Sequence, residues 1–203
     1  MTQQARFLQP RIKLNYKQKQ QRRYSNMILL LCIIFGVILA GDVIGATIFL
    51  RQSPQTHAYL ATYVENGISN SFFEIFWTQF LYKFTIFAMG ATIIGNVVNL
   101  FLVFTRGVTA GFNLAFLISE ASFWAMLLWV MQYIMIIFTT ILSVYFSLRF
   151  AYVVLKSLVL KRHDLIKKHT KLYIVQFVVI MIFTIITSFL TMIVSPIVIN
   201  SIS

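Results

Sequence analysis

The stretch Arg149 to Lys171 reads RFAYVVLKSLVLKRHDLIKKHTK, a cluster of cations set between two long apolar runs. Lys and Arg residues that flank hydrophobic spans stay on the cytoplasmic side of a membrane during insertion. A second block, Arg6 to Arg23, precedes the first apolar run. Together the two blocks hold fourteen of the seventeen Lys and Arg residues, so both are expected to face the cytoplasm. The number of crossings between them must then be even. Arg51, Lys83 and Arg106 are the three cations outside this pattern.

The chain has 203 residues, of which 59% are hydrophobic, and its mean hydropathy is +0.83. A water-soluble core of this size cannot hide so many apolar side chains, so the natural solvent is a bilayer. A net charge of +12 would suit nucleic acid in a soluble protein. Here the cations abut hydrophobic spans, and anionic lipid at the cytoplasmic face is the expected partner, with no nucleic acid. Met1 to Ser25 is too long and polar for the leading part of a signal peptide, so the apolar run behind it is expected to remain as a transmembrane helix. The single cysteine, Cys32, lies in that run, which leaves no disulfide framework and no thiol-based metal site. It is expected to be a small buried residue.

These rules predict an all-α fold, an integral membrane helical bundle of about five transmembrane helices with a cytoplasmic amino terminus and an external carboxyl terminus. Residues 1–25 form a basic cytoplasmic arm, which either lies on an anionic leaflet or serves only to set topology. Residues 26–203 form a single membrane domain. Its first span covers about 27–50, long enough to cross a core about 30 Å thick, with Gly36, Gly41 and Gly45 near one helical face for close approach of a neighbour. Residues 51–83 are expected outside, with turn-prone Ser53-Pro54 and Glu65-Asn66-Gly67. Within about 71–83, Phe72, Phe73, Phe76, Trp77 and Phe80 recur at three- and four-residue spacing, as in an external amphipathic helix lying in the interface.

The second span covers about 84–104 and ends at Arg106. Parity then demands two crossings before Arg149. The polar break Ser119-Glu120-Ala121-Ser122 marks an external turn, giving a third span of about 107–118, only about 18 Å long, and a fourth of about 123–148. A turn nearer Gln132 would divide this stretch more evenly and stays open. A cytoplasmic basic loop covers about 149–171, and the fifth span, about 172–194, stops at Ser195-Pro196.

Ionisable groups inside a bilayer cost about 2.5 to 3.5 kcal/mol, so each asks for a partner or a function. Asp42 lies about 12 Å from the end of the first helix, with Lys83 or a backbone polar group as its expected companion. Asn96, Asn99, Arg106 and Asn113 surround the expected joint between the second and third spans, and Gly107 and Gly111 follow Arg106. This cluster reads either as interhelical hydrogen bonding or as a gate or docking point reached from the cytoplasm. Glu120 reads as a solvated residue of the outer turn, and Gln132 as an interhelical amide. His57, His163 and His169 are too scattered for a metal cluster. No phosphate loop, GxSxG elbow or HExxH helix occurs, so no catalytic residue and no cofactor is expected.

Leu100 to Leu117, LFLVFTRGVTAGFNLAFL, resembles the stage II sporulation protein M family of multi-pass bacterial membrane proteins. The resemblance extends over about residues 27–200: a basic start, a Gly-bearing first helix, a Phe-rich segment, then a basic residue followed by G-x-x-x-G-F. Tyr145-Phe146-Ser147-Leu148-Arg149 and Val194-Ser195-Pro196 also look like family positions. Two departures stand out: Tyr82-Lys83 where many members have an asparagine pair, and Gln132-Tyr133 where some carry a Pro-His and a Glu.

The resemblance implies a five-helix protein of the bacterial cytoplasmic membrane without catalytic residues. It implies a scaffold or accessory subunit that holds other membrane proteins, such as cell-wall hydrolases, and it leaves homo-oligomers open. Relatives associated with circular bacteriocin production imply the alternative, a maturation, export or immunity subunit working with a separate ABC-type ATPase. An intramembrane enzyme built on Asp42 or Glu120 would need a second catalytic group within hydrogen-bond reach, and the sequence offers none.

Overall fold

A computed structural model describes residues 3–53, 55–56, 71–92, 94–160 and 163–202, and all five of its long elements are helices. They are α1 (Gln3–Leu50), α2 (Phe72–Gly90), α3 (Gly95–Glu120), α4 (Phe123–Leu160) and α5 (His163–Ile202). The expected turns at Pro54 and at Glu65-Asn66-Gly67 fall outside the described residues, as do the cationic side chains of the amino-terminal arm.

Four of the five helices are long and apolar enough to cross a membrane: Met27–Leu50 within α1, Gly95–Glu120, Phe123–Leu160, and His169–Ser201 within α5. The fifth, α2, is diluted by Glu74, Gln79 and Lys83. Burial runs opposite to that of a soluble bundle. The interior holds Lys83, Asn99, Thr139, Thr140, Ser143, Ser147, Thr184, Thr187 and Ser188, while Val43, Phe138 and Ile182 stand more than half exposed on the outside. Such an exterior is stable against lipid tails and unstable against water.

Several boundaries differ from those read in the sequence. The expected interfacial helix over 71–83 and the second span from 84 are one continuous helix that ends at Gly90. The chain turns at 91–94 instead of at Arg106: the Thr92 hydroxyl donates to the Met89 carbonyl (2.9 Å) and accepts from the Gly95 N–H (3.0 Å). Gly90 and Gly95 bracket this turn, and the apolar Ile93-Ile94 between them hides it in a hydropathy reading. Arg106 and Gly107 consequently lie inside α3, whose 26 residues span about 39 Å, and the short third span disappears. The break at 121–122 between α3 and α4 falls where the sequence placed it.

The expected basic loop over 149–171 is instead the adjoining ends of two helices. Nothing in KSLVLK or HDLIKKHT breaks a helix, so α4 runs to Leu160 and α5 starts at His163. Likewise α5 passes through Pro196 instead of stopping there. One ladder bond is lost at that point, close enough to the helix end for packing to offset it. Cys32, expected buried, is exposed on α1.

Packing follows two pairings. Gly41 of α1 faces Phe104, Gly107 and Val108 of α3, and Gly45 faces Val108 and Phe112, so α1 and α3 run parallel side by side. Helices α4 and α5 pair as a hairpin, and α2 packs against α3, α4 and α5. At one end, Phe49, Phe116, Leu117, Ala125, Val194 and Val198 form an apolar cluster, with the Phe49 ring edge-on to Phe112 at 5.3 Å. Nearer the Gly90 end, Ile34, Ile38, Ile86, Val103 and Val144 form a second.

Candidate functional site

Between the two apolar clusters lies a polar centre. Lys83 sits in mid-α2 and is 1% exposed, with its ammonium donating to Thr139 of α4 (2.8 Å) and Thr184 of α5 (3.1 Å). Each threonine gives its own hydroxyl proton to a carbonyl of its own helix, Ile136 and Ile180 respectively, so its oxygen lone pairs are turned to the lysine. The expected pairing of Lys83 with Asp42 is not formed. Asp42, half-buried on α1, accepts a hydrogen bond from the Tyr133 hydroxyl of α4 at 3.0 Å.

A second relay ties α2, α4 and α5 together toward the Phe49 end. Thr191 accepts from Gln132 (2.7 Å) and from Gln79 (3.5 Å), and the Gln79 carbonyl oxygen accepts from Thr187 (3.0 Å). Toward the Gly90 end, Asn99 of α3 is fully buried and donates to Ser147 (2.6 Å) and to the Ile86 carbonyl (3.2 Å), which also accepts from Ser147 (2.9 Å). The Asn99 and Asn96 side-chain carbonyls have no partner. Tyr173 donates to the Phe87 carbonyl at 2.8 Å and stacks on Phe150 at 4.1 Å.

Arg106 is half-buried in mid-α3, with its guanidinium carbon 5.6 Å from the centre of the Tyr82 ring. The Tyr82 hydroxyl is itself held by the Leu102 carbonyl at 3.0 Å. Arg106 lines a cavity of about 140 Å³ together with Gln79, Asn113, Gln132, Tyr133 and Thr191. Asn113 is exposed at its mouth, and Glu120 is exposed at the end of α3. The cluster anticipated around a joint therefore divides in two: Asn96 and Asn99 belong to the Gly90 end, Arg106 and Asn113 to the cavity.

Gly107 and Gly111 are packing residues. A Cβ on Gly111 would meet the Asp42 backbone, and one on Gly107 would lie 3.2 Å from the Asp42 nitrogen and press on the Ile38 carbonyl. Gly41 and Gly45 face them from α1, so two G-x-x-x-G faces meet backbone to backbone. Gly36, grouped with them in the sequence, has no neighbour at that distance.

Sequence reasoning missed Gln79, Tyr133 and the hydroxyl residues. A signal was present: Thr139, Ser143 and Ser147 repeat every four residues on α4, and Thr184, Thr187, Ser188 and Thr191 recur at three- and four-residue steps on α5. Among the described residues, no group of three or more His, Cys, Asp or Glu side chains is placed to hold a metal ion.

A sequence model of the family described as Stage II sporulation protein M matches residues 25–196, covering the first three apolar spans, most of the fourth and the polar centre. No curated protein and no solved structure matches the chain.

Proposed function

The chain belongs to the stage II sporulation protein M family, and from that premise we propose that it is a non-enzymatic scaffold or accessory subunit of a larger complex in the bacterial cytoplasmic membrane. Five crossings carry it from a cytoplasmic amino terminus to an external carboxyl terminus, with α2, about 28 Å long, as the least apolar of them. The packing of α2 against three other helices and the burial of Lys83 support this assignment.

The observation that carries the scaffold reading is the α4–α5 hairpin. Past Arg149, α4 continues to Leu160 and presents Lys156 beside exposed Tyr152, Leu155, Leu158 and Val159. An apolar stripe edged by Lys156, on a helix that continues past Arg149, suits a protein partner. Purification from mild detergent should enrich a defined partner over a control membrane protein. The Leu155→Ser, Leu158→Ser, Val159→Ser triple variant should lose at least about tenfold of it while still inserting. Recovery of a lone chain under both conditions would remove the proposal.

Sidedness is tested separately by cysteine labelling in a Cys32→Ser background. An impermeant maleimide should label Ser201→Cys in intact cells and Lys156→Cys only after lysis. The reverse order would invert the topology.

The polar cavity favours a second reading, a membrane subunit of a circular bacteriocin maturation, export or immunity machine with a separate ABC-type ATPase. A polar chamber beside buried hydrogen bonds is a feature that a purely mechanical scaffold does not require. A deletion strain that matures, exports and resists its peptide normally would dispose of this reading.

A further inference from the structure

Arg106 is a half-buried cation for whose N–H donors no hydrogen-bond acceptor occurs among the described residues. Lys83 has two hydroxyl acceptors, whereas no described residue accepts a hydrogen bond from Arg106 or pairs with it; its contact is the face of Tyr82. The guanidinium carries five N–H donors in a planar fork. The carboxylate of Asp42, on the neighbouring α1, is already engaged by Tyr133. Arg106 lies about 16 Å from the start of α3 and about 21 Å from its end, so its side chain cannot snorkel to either interface.

A cation fixed at that depth without an anion is costly in a bilayer, yet the fold builds a chamber around it. The cavity of about 140 Å³ is lined by Arg106 together with Gln79, Gln132 and Thr191, whose hydroxyl oxygen accepts from both amides. It has room for several water molecules or one compact oxyanion. The lining hydroxyls of Thr109, Tyr133 and Thr191 give their protons elsewhere. The donors left to the chamber are the Arg106 guanidinium and the amides of Gln79, Gln132 and Asn113, with no carboxylate in the lining, which selects for negative charge. Asn113 and the exposed Thr109 line the same chamber, giving it a polar mouth on α3 between Arg106 and Glu120.

We propose that this chamber is an intramembrane oxyanion site, in which Arg106 holds a carboxylate or phosphate group through its paired N–H donors while the Gln79 and Gln132 amides complete the shell. This inference stands on the chamber alone and holds whether or not the chain is a scaffold. The group is either a free anion or the phosphate of an anionic lipid, and the two sources separate experimentally.

Trp129 lines the chamber and stacks on Tyr133 at 5.0 Å, so its fluorescence reports on occupancy. With Trp77→Phe and Trp124→Phe it becomes the sole tryptophan of the full-length chain. In nanodiscs of phosphatidylcholine, titration with inorganic phosphate or acetate at constant ionic strength should give a saturable change. Arg106→Gln should raise the midpoint at least about tenfold or abolish the response, and its thermal midpoint should not fall, because an unpaired charge has been removed. Arg106→Lys, which keeps the charge but loses the fork, should raise the midpoint at least about threefold. In nanodiscs containing phosphatidylglycerol, suppression of the phosphate titration identifies the lipid as occupant, and an unchanged titration identifies the free anion. The proposal is overturned by the absence of any saturable response, by an equal response to chloride, or by unchanged midpoints in both arginine variants.

Discussion

The α1–α3 pair and the α2–α4–α5 trio solve the same problem in opposite ways. Lipid tails are as apolar as leucine, so burying leucines gives helices little reason to associate, and either close backbone contact or polar bonding must replace that drive. In the first pair, Gly41 lies on Gly107, Gly45 on the backbone of Val108 and Phe112, and Gly111 on that of Asp42, and contact is dispersion between backbones. In the trio, Lys83, Gln79 and Gln132 are held by the hydroxyls of Thr139, Thr184, Thr187 and Thr191. The glycine seam tolerates no added atom. The hydroxyl seam tolerates change only if its lysine changes with it.

The comparison breaks most sharply at Gly111. A Gly111→Ile variant must push the Asp42 backbone away, and overpacking against backbone should cost about 3 kcal/mol or more, while Gly36→Ile, which meets nothing within 4 Å, should be near neutral. Thermal unfolding in detergent compares the two. Equal melting points would mean that α1 and α3 do not pack through this seam.

Next in size is the Thr139→Val, Thr184→Val double variant, which leaves the Lys83 ammonium buried without acceptors. A loss of about 2 to 3 kcal/mol is expected, since hydrogen bonds to a charged group are the stronger kind. Adding Lys83→Met should restore most of it, because an apolar side chain of similar length needs no acceptor. Failure of that rescue in the same unfolding assay would place the role of the threonines elsewhere than at the lysine.

The smallest effect belongs to Tyr133→Phe, which removes one interhelical bond to half-buried Asp42. Measured bonds of this kind inside membranes average about 0.6 kcal/mol, and a loss near that value is expected. An Asp42→Asn variant should then couple to Tyr133→Phe in a double-mutant cycle, with an interaction energy of similar size. Full additivity would mean that the contact carries no energy.

Hydropathy and charge made the helical membrane architecture legible, together with the break after Glu120, because these depend on composition summed over long windows. The glycine face of the first helix was legible as well, since closely spaced glycines mark a helix face whatever the partner is, whereas Gly107 and Gly111 read as part of a joint. The turn at 91–94 was not: Gly90 and Gly95 are weak signals inside an apolar run, and the more conspicuous Arg106-Gly107 drew the boundary to itself. Misplacing that one turn moved Lys83 from mid-helix to an interface and Arg106 from mid-helix to a loop.

What the sequence determined by itself is the solvent of this protein and its helical content, because transfer free energy and backbone satisfaction are nearly local properties of the chain. Which polar residues meet was decided by tertiary structure alone. Asp42 takes Tyr133 and not Lys83, and Lys83 takes two threonines some 56 and 101 positions away in sequence. Those pairings depend on the rotation and depth of each helix, fixed by where the glycines let backbones touch and by where the chain turns, and no local pattern encodes either.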